Sequence, residues 1–352
     1  MPELLLLPIF AFVLSLLVTP WVIRLAQRLG AVDQPDQRKV HCQPMPRLGG
    51  LAVYLGFAVT VLITQPLTLP LAGLLLGASL IVLLGVWDDV RGLSPWVKLA
   101  GQLLAAGSLI PFGIHVEFLT NPLGGIIYLG VLGVPLTVFW VVAVTNAVNL
   151  IDGLDGLAAG TALIASLTLA AVAFTLGNTA VVAVTLILAG AILGFLRYNF
   201  HPARVFLGDT GSMFLGFALG ALAVMGLSKG ATALSVLIPI VILGIPLTDT
   251  AFAVWRRFRN RKPIFGPDRG HLHHRLLGLG LTHRGAVLAL YGVNLVLAGS
   301  AVLLAVLSTA QAVLLLFILA TLFLTAANRV GVFGGAWRRG AEKALESKRS
   351  GA

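Results

Sequence analysis

Apolar runs of about 20 residues recur along the whole chain, and at ~1.5 Å per residue a run of that length crosses a hydrocarbon layer of ~30 Å. Such runs are too long and too continuous for the core of a soluble domain. About eleven of them meet or approach the length required, over residues 3–23, 49–69, 71–87, 96–113, 128–147, 157–176, 179–198, 212–227, 233–255, 286–307 and 310–327. The expected fold class is therefore an all-α polytopic membrane protein with about eleven transmembrane helices. Met1, Pro2 and Glu3 precede the first run and Arg24 and Arg28 follow it, the reverse of a basic secretory start, so the run is expected to be retained.

Lys and Arg are held back on the cytoplasmic side during insertion. With loops assigned alternately, one side receives every basic residue of the 24 except Lys229. That places the N-terminus outside and the C-terminus in the cytoplasm, and the clean partition supports the count of helices. The net charge of +11 is then mainly topological bias plus attraction to anionic lipid heads, and nucleic acid is not needed to explain it. The single cysteine, Cys42, permits no internal disulfide and gives no special support to a catalytic thiol.

Charge makes up only 11% of the residues, so the position of the acids is informative. Asp33, Asp36, Asp88, Asp89, Asp152, Asp155, Asp209, Asp249 and Asp268 all map to cytoplasmic loops or helix ends. One face of the membrane thus holds the chemistry. A proton- or ion-coupled carrier would more naturally place ionisable groups near the bilayer midplane.

In "TNAVNLIDGLDGL", Asn146, Asn149, Asp152 and Asp155 recur every third residue. Three residues of a helix turn ~300°, so each step slips ~60° and the four side chains cannot face one point unless the helix breaks. Gly153 and Gly156 supply the means, and they also let a ligand approach the backbone. Simple helix capping explains one Asn and one Asp but hardly four polar residues. In "GVWDDVRGLSPWVKLAGQ" the adjacent carboxylates of Asp88 and Asp89 repel, and such a pair is favoured beside a divalent cation or cationic partner. A solvated turn would accept the same pair. Lys98 and Gln102, one turn apart, are expected to face the same pocket.

"RVFLGDTGSMFLG" puts Gly208, Asp209, Thr210, Gly211 and Ser212 before an apolar run. Free backbone N–H groups at such a helix start suit phosphate oxygens, and Asp209 can hold a cation, although an ordinary N-cap also fits. "DRGHLHHRLLGLG" carries Asp268, Arg269, His271, His273, His274 and Arg275. Three histidines suggest zinc, but no cysteine accompanies them and flanking arginines repel a metal, so contact with phosphate suits them better. Plain surface charge is the remaining reading. "DQPDQRKVHCQPMPRLGG" is an irregular loop whose Lys39, His41 and Arg47 are further anion contacts or, taken alone, a topogenic basic loop.

Carboxylates sufficient for Mg²⁺, glycine-rich helix starts and an excess of His, Arg and Lys at one membrane surface suit a diphosphate bound through a cation. The five stretches "RKVHCQPMPRLGG", "DDVRGLSPWVKLAGQ", "NAVNLIDGLDGL", "FLGDTGS" and "PLTDTAFAVWRR" leading to "DRGHLHHRL" occur in this order. Together they resemble the polyprenyl-phosphate N-acetylhexosamine-1-phosphate transferase superfamily, glycosyltransferase family 4, over about residues 33–285. Pro246, Asp249, Thr250, Arg256 and Arg257, with the spacing of Asp268, His271, His273 and His274, are similar to the bacterial undecaprenyl-phosphate N-acetylglucosamine-1-phosphate transferases. The phospho-N-acetylmuramoyl-pentapeptide translocases of peptidoglycan synthesis carry three consecutive histidines, whereas Leu272 separates His271 from His273 here, so that enzyme is the alternative.

The resemblance implies attack by undecaprenyl phosphate on the sugar-proximal phosphorus of a UDP-N-acetylhexosamine, with release of UMP. It implies catalytic roles for Asp88, Asp89, Asp209, His271, His273 and His274. Asp209, Asp152 and Asp89 are its metal ligands, for Mg²⁺ or for Mn²⁺ in its place. Lys39, His41, Lys98, Asn146, Asn149, Asp152, Asp155, Gly208 and Arg269 are its substrate contacts. A lipid phosphate is already largely ionised near neutral pH, so Asp88 is not needed as a base, and positioning with charge stabilisation can suffice. The expected organisation is one transmembrane catalytic domain over 1–327 and a basic cytoplasmic tail over 328–352, in the bacterial inner membrane. The expected partners are undecaprenyl phosphate, the UDP-sugar and the bilayer; a homodimer is admissible. A transporter would need polar groups reachable from both sides. An intramembrane prenyltransferase would leave the glycine–aspartate turns and the histidine loop unused.

Overall fold

The computed structural model describes residues 2–34, 44–120, 125–227, 237–261, 263 and 270–329. Its helices are α1 (Pro2–Leu29), α2 (Gly49–Thr64), α3 (Leu69–Arg91), α4 (Pro95–Gly107), α5 (Gly133–Leu150), α6 (Leu157–Thr175) and α7 (Thr179–Asn199). Then follow α8 (Gly208–Leu227), α9 (Leu237–Ile242), α10 (Gly244–Arg259), α11 (Leu272–Gly278), α12 (His283–Leu304) and α13 (Thr309–Arg329). Two short antiparallel pairs join the helices: β1 (Val32–Asp33) with β2 (Met45–Pro46), and β3 (Phe118–Thr120) with β4 (Ile126–Tyr128).

Helices dominate because an apolar segment in hydrocarbon must satisfy its backbone polar groups internally. Hydroxyls inside the apolar helices obey the same constraint by donating back one turn. Thr60 donates to the Gly56 carbonyl, Thr145 to Val141, Ser166 to Ala162 and Thr185 to Val181. Among the described residues, eight helices are long and apolar enough to cross a membrane: α1, α3, α5, α6, α7, α8, α12 and α13.

Three of the eleven expected spans differ. The run at 49–69 yields α2 of 16 residues and the run at 96–113 yields α4 of 13, so they rise about 24 and 20 Å, short of the hydrocarbon thickness. The run at 233–255 is not one helix in its described part. It divides at Leu243 into α9 and α10, and Asp249, Arg256, Arg257 and Arg259 make α10 more polar than the eight long apolar helices. Residues 330–352 of the expected tail lie outside the described residues.

Helix α8 is the centre of the bundle: 83% of its apolar stretch is buried, against 11% for α13. It packs against α2, α3, α5 and α6. Phe214 and Phe217 of α8 are fully buried, and Phe214 meets the rings of Tyr54 and Phe57 at 5.5 and 5.7 Å. At Gly216 a Cβ would stand 2.6 Å from the Thr145 Cα, so a missing side chain is what lets α8 and α5 touch backbone to backbone. Large apolar side chains such as Leu5, Trp21, Leu295, Val296, Phe317 and Leu322 point outward from α1, α12 and α13, the arrangement suited to a hydrocarbon surrounding. The central position of α8 fixes its N-terminus, Gly208–Asp209, against the C-terminal ends of α3 and α5.

Candidate active site

Helix α5 ends at Leu150, and the turn 151–156 leads into α6 with Gly156 at φ 78°. The break required by the three-residue spacing is present. Asn146 and Asn149 sit on the last turns of α5 while Asp152 and Asp155 sit in the turn. Asp152, Asp155 and Asn149 line a cavity of ≈ 540 Å³, together with Asp89, Gly208, Asp209 and His274 from three other signatures. Arg47, His201 and His283 complete much of its polar wall.

The start of α8 is held from below by α3. Asp89, 3% exposed, accepts the Asp209 N–H at 3.0 Å on one carboxylate oxygen. The other oxygen accepts the Thr210 N–H at 2.9 Å and the Thr210 hydroxyl at 2.6 Å. Asp89 thus caps a helix far away in sequence and complements its dipole. Gly208 makes this approach possible: its φ is 71°, and a Cβ there would collide with the Arg47 carbonyl and stand 2.6 Å from Asp89 Oδ2. Arg47 in turn donates to the Asp89 carbonyl at 3.0 and 2.8 Å.

Asp209 lies at the junction. Lys98 Nζ is 2.6 Å from Asp209 Oδ2 and 2.7 Å from Asp88 Oδ2, and Asn149 donates to Asp209 Oδ1 at 2.6 Å and to Ser212 Oγ at 2.8 Å. Asp88 also accepts the Leu93 N–H at 2.6 Å. Asn146 and Gln102 form a reciprocal amide pair, with Asn146 Nδ2 donating to Gln102 Oε1 at 2.6 Å. Neither lines the cavity.

Asp152 is different. Among the described residues no hydrogen bond reaches its side chain, and burial, followed by the charges of Asp209, Asp89 and Asp155, pushes its carboxyl up to about 8. A divalent cation would neutralise such a group. The donors around it are carboxylate oxygens with no thiol, which fits a hard cation.

The three histidines do not share one environment. His271 Nδ1 is 2.8 Å from Asp249 Oδ2, and the Leu272 N–H donates to Asp249 Oδ1 at 2.9 Å, so α10 anchors the start of α11. His273, 3% exposed, packs so tightly on Gly153 that a Cβ there would collide with its Nε2. Burial and the adjacent His274 push the His273 imidazole down to about 3, so it is neutral. Only His274 of the three lines the cavity. Lys39, His41 and Arg269 lie outside the described residues.

The sequence reading passed over His201 and His283, which meet at Asp155. His201 Nδ1 is 2.8 Å from Asp155 Oδ2, and the Asp155 N–H donates to His283 Nε2 at 3.0 Å. These three residues form a group whose ligand atoms lie within 4.8 Å of one another, close enough to hold a metal. The available signals were small: a histidine before Pro202 in "FHPAR", a little ahead of Gly208, and one opening an apolar run in "LTHRG". Each passes for loop polarity.

A polar cavity of carboxylates, imidazoles and amide groups at one end of an apolar helical bundle fits the class of membrane-embedded transferases that act on phosphate-bearing substrates. Comparison with known proteins gives the family. Residues 71–227 match the model of glycosyl transferase family 4. The chain is 45% identical over 302 residues to the probable undecaprenyl-phosphate N-acetylglucosaminyl 1-phosphate transferase of Bacillus subtilis (strain 168), covering 84% of each. It is 38% identical over 320 residues to the decaprenyl-phosphate N-acetylglucosaminephosphotransferase of Mycolicibacterium smegmatis, covering 82% of this chain and 79% of the relative. It is 36% identical over 324 residues to the phospho-N-acetylmuramoyl-pentapeptide-transferase of Desulforudis audaxviator, covering 82% and 94%. The chain belongs to glycosyl transferase family 4, on its polyprenyl-phosphate N-acetylhexosamine-1-phosphate transferase side.

Proposed function

We propose that this protein transfers N-acetylglucosamine-1-phosphate, or a related N-acetylhexosamine-1-phosphate, from its UDP-sugar to undecaprenyl phosphate. A lipid-phosphate oxygen bonds to the sugar-proximal phosphorus, the bond from that phosphorus to the bridging oxygen breaks, and UMP leaves. The observation that carries this reading is the convergence of Asp89, Asn149, Asp152, Asp209 and His274, from four separate signatures, on one cavity. The first membrane step of a cell-envelope glycan, on the cytoplasmic face of the inner membrane, fits this substrate pair and the distribution of basic residues.

Asp209 and Asp152 are the residues that would hold Mg²⁺, or Mn²⁺ in its place; the capping bonds on Asp89 make it a positioning residue for Asp209. A bound divalent cation would spread the charge of the diphosphate. Asn149 and Lys98 orient the Asp209 carboxylate, and Lys98 also holds Asp88 next to it. His274 and Arg47 also line the cavity and supply donors for phosphate oxygens. The C-terminal segment 328–352 is read as a basic surface tail on anionic lipid.

The test is direct. Purified protein is incubated with undecaprenyl phosphate and a panel of UDP-sugars that includes UDP-N-acetylmuramoyl-pentapeptide, with and without Mg²⁺. The expected result is UMP release and a lipid product with the mass of undecaprenyl-diphospho-N-acetylhexosamine. Preference for the pentapeptide donor would move the protein to the translocase branch, and labelled substrate crossing vesicles without UMP release would make it a transporter. Asp209→Asn with full turnover and unchanged Mg²⁺ dependence would sink the metal assignment.

A further inference from the structure

Two histidines with no part in the scheme above close around Asp155 from different elements. His201 follows α7, and His283 is the first residue of α12. The grip is made on both the side chain and the backbone of Asp155. His201 Nδ1 and the Ala203 N–H reach Asp155 Oδ2 at 2.8 and 3.1 Å, while the Asp155 N–H donates to His283 Nε2 at 3.0 Å. The next residue is held in the same fashion. The Gly156 N–H donates to Asn199 Oδ1 at 3.1 Å, and the Tyr291 hydroxyl donates to the Gly156 carbonyl. The two imidazoles stack on each other, centroids 4.3 Å apart and planes 16° from parallel, and both line the cavity with Asp155.

Such an arrangement leaves one oxygen of the Asp155 carboxylate uncommitted. Among the described residues no hydrogen bond reaches Asp155 Oδ1, although Oδ2 carries two. A carboxylate so fixed presents one oxygen in a set direction, and the cavity is the space it borders. Chelation of a metal by the three residues is the competing account, since their ligand atoms lie within 4.8 Å. Hydrogen bonding already uses the relevant atoms. His283 Nε2 accepts a backbone N–H, His201 Nδ1 is engaged with the carboxylate, and near-parallel rings aim their in-plane lone pairs side by side instead of at one point.

We propose that His201 and His283 are positioning residues that clamp the 151–156 turn, so that Asp155 Oδ1 is presented to an N–H or O–H of the bound UDP-sugar. This rests on the reading that the cavity takes a UDP-sugar. The clamp acts on recognition of the donor, so its removal raises the KM for UDP-sugar and spares the chemical step and the lipid acceptor.

Kinetics and calorimetry of purified full-length variants test this. His201→Ala is expected to raise the KM for UDP-N-acetylglucosamine by roughly tenfold, with kcat within about threefold and the KM for undecaprenyl phosphate unchanged. His201→Asn, whose amide can donate to Asp155 Oδ2, is expected to recover most of that loss. His283→Gln, which keeps an acceptor, is expected to outperform His283→Leu. Calorimetric affinity for UDP-N-acetylglucosamine is measured alongside and is expected to follow the same order. Because binding needs no turnover, an inactive wild type would defeat the transferase reading while leaving the clamp measurable. The proposal is overturned if kcat falls with KM and affinity unchanged, or if His201→Asn is as defective as His201→Ala. A Zn²⁺ or Mn²⁺ ion bound by the wild type and lost in His201→Asn would also overturn it, in favour of a metal site. Should His201→Ala fail to fold, the two conservative variants and Asp155→Asn decide the question.

Discussion

The Lys98 ammonium lies 2.6 Å from a carboxylate oxygen of Asp209, across 111 positions of sequence. The same nitrogen is 2.7 Å from Asp88, so one cation from α4 ties the C-terminal end of α3 to the first turn of α8. Two carboxylates brought this close repel unless a positive charge stands between them. Lys98 is therefore part of the geometry of Asp209 as well as of its charge. Lys98→Gln is expected to lower UMP release by roughly a hundredfold or more, in line with removing a preorganised charge from an active site. Lys98→Arg should recover little, because a planar fork does not replace a point charge shared by two carboxylates. Turnover within threefold of wild type in Lys98→Gln would remove Lys98 from the site.

Asp89 is expected to act mainly through α8. Asp89→Ala strips the acceptors from the Asp209 N–H, the Thr210 N–H and the Thr210 hydroxyl, a loss of about 1–2 kcal/mol from the helix cap and more for any donor left buried. The thermal unfolding midpoint in detergent should fall by several degrees, and Asp89→Asn, which retains one oxygen, should fall by less. An unchanged midpoint in Asp89→Ala contradicts the capping role.

Cation affinity should depend on pH through Asp152. Its carboxyl is pushed up to about 8, so below that pH a cation must displace a proton and binding strengthens as pH rises through about 8. The stability linkage of the cation-free protein has the opposite sign. A carboxyl raised above its ordinary value of 3.8 stabilises the fold below 3.8, and that contribution is lost as pH rises toward about 8. Mg²⁺ titrations at pH 6.5 to 9 should show this slope in the wild type and a flatter one in Asp152→Asn. Equal slopes would mean that another group controls the cation.

Gly153 is expected to tolerate no side chain. A Cβ would collide with His273 Nε2 and push α11 from the 151–156 turn, so Gly153→Ala should cut turnover by roughly tenfold, as small misplacements in active sites do. Gly107, with nothing within 4 Å of a Cβ, is the control: Gly107→Ala should be neutral in activity.

Acid should weaken the fold through His273. Its imidazole is held near 3 where the ordinary value is 6.5, so its contribution is complete above 6.5 and is lost as pH falls from 6.5 toward 3. Thermal midpoints from pH 7 to 4 should decline less steeply in His273→Gln than in the wild type. A parallel decline would show that His273 protonates freely in the fold.

Much of the bundle was legible before any coordinates because spanning length is a local property: eight of the expected runs became helices of that kind. The three runs that differ do so for local reasons too. Leu243 divides α9 from α10 next to Pro239, Gly244 and Pro246, and α2 and α4 stop short of a full crossing. The four polar residues of the "NAVNLIDGLDGL" stretch announced a helix break, and α5 does end at Leu150. The histidine loop was read as contacts with phosphate. In the fold Asp249 engages His271, His273 packs on Gly153, and His274 lines the cavity.

What the amino-acid order settled without help was the solvent of this protein and its chemical inventory, since apolar length and residue type need no partner to be read. Which oxygen of each carboxylate is committed was a matter for packing alone. Asp89 turns to α8, Asp155 to His201 and Asp209 to Lys98 and Asn149, through contacts between residues 46 to 120 positions apart. A hydrogen bond acts over about 3 Å, and only the close seating of small-residue helices brings such distant groups within that reach.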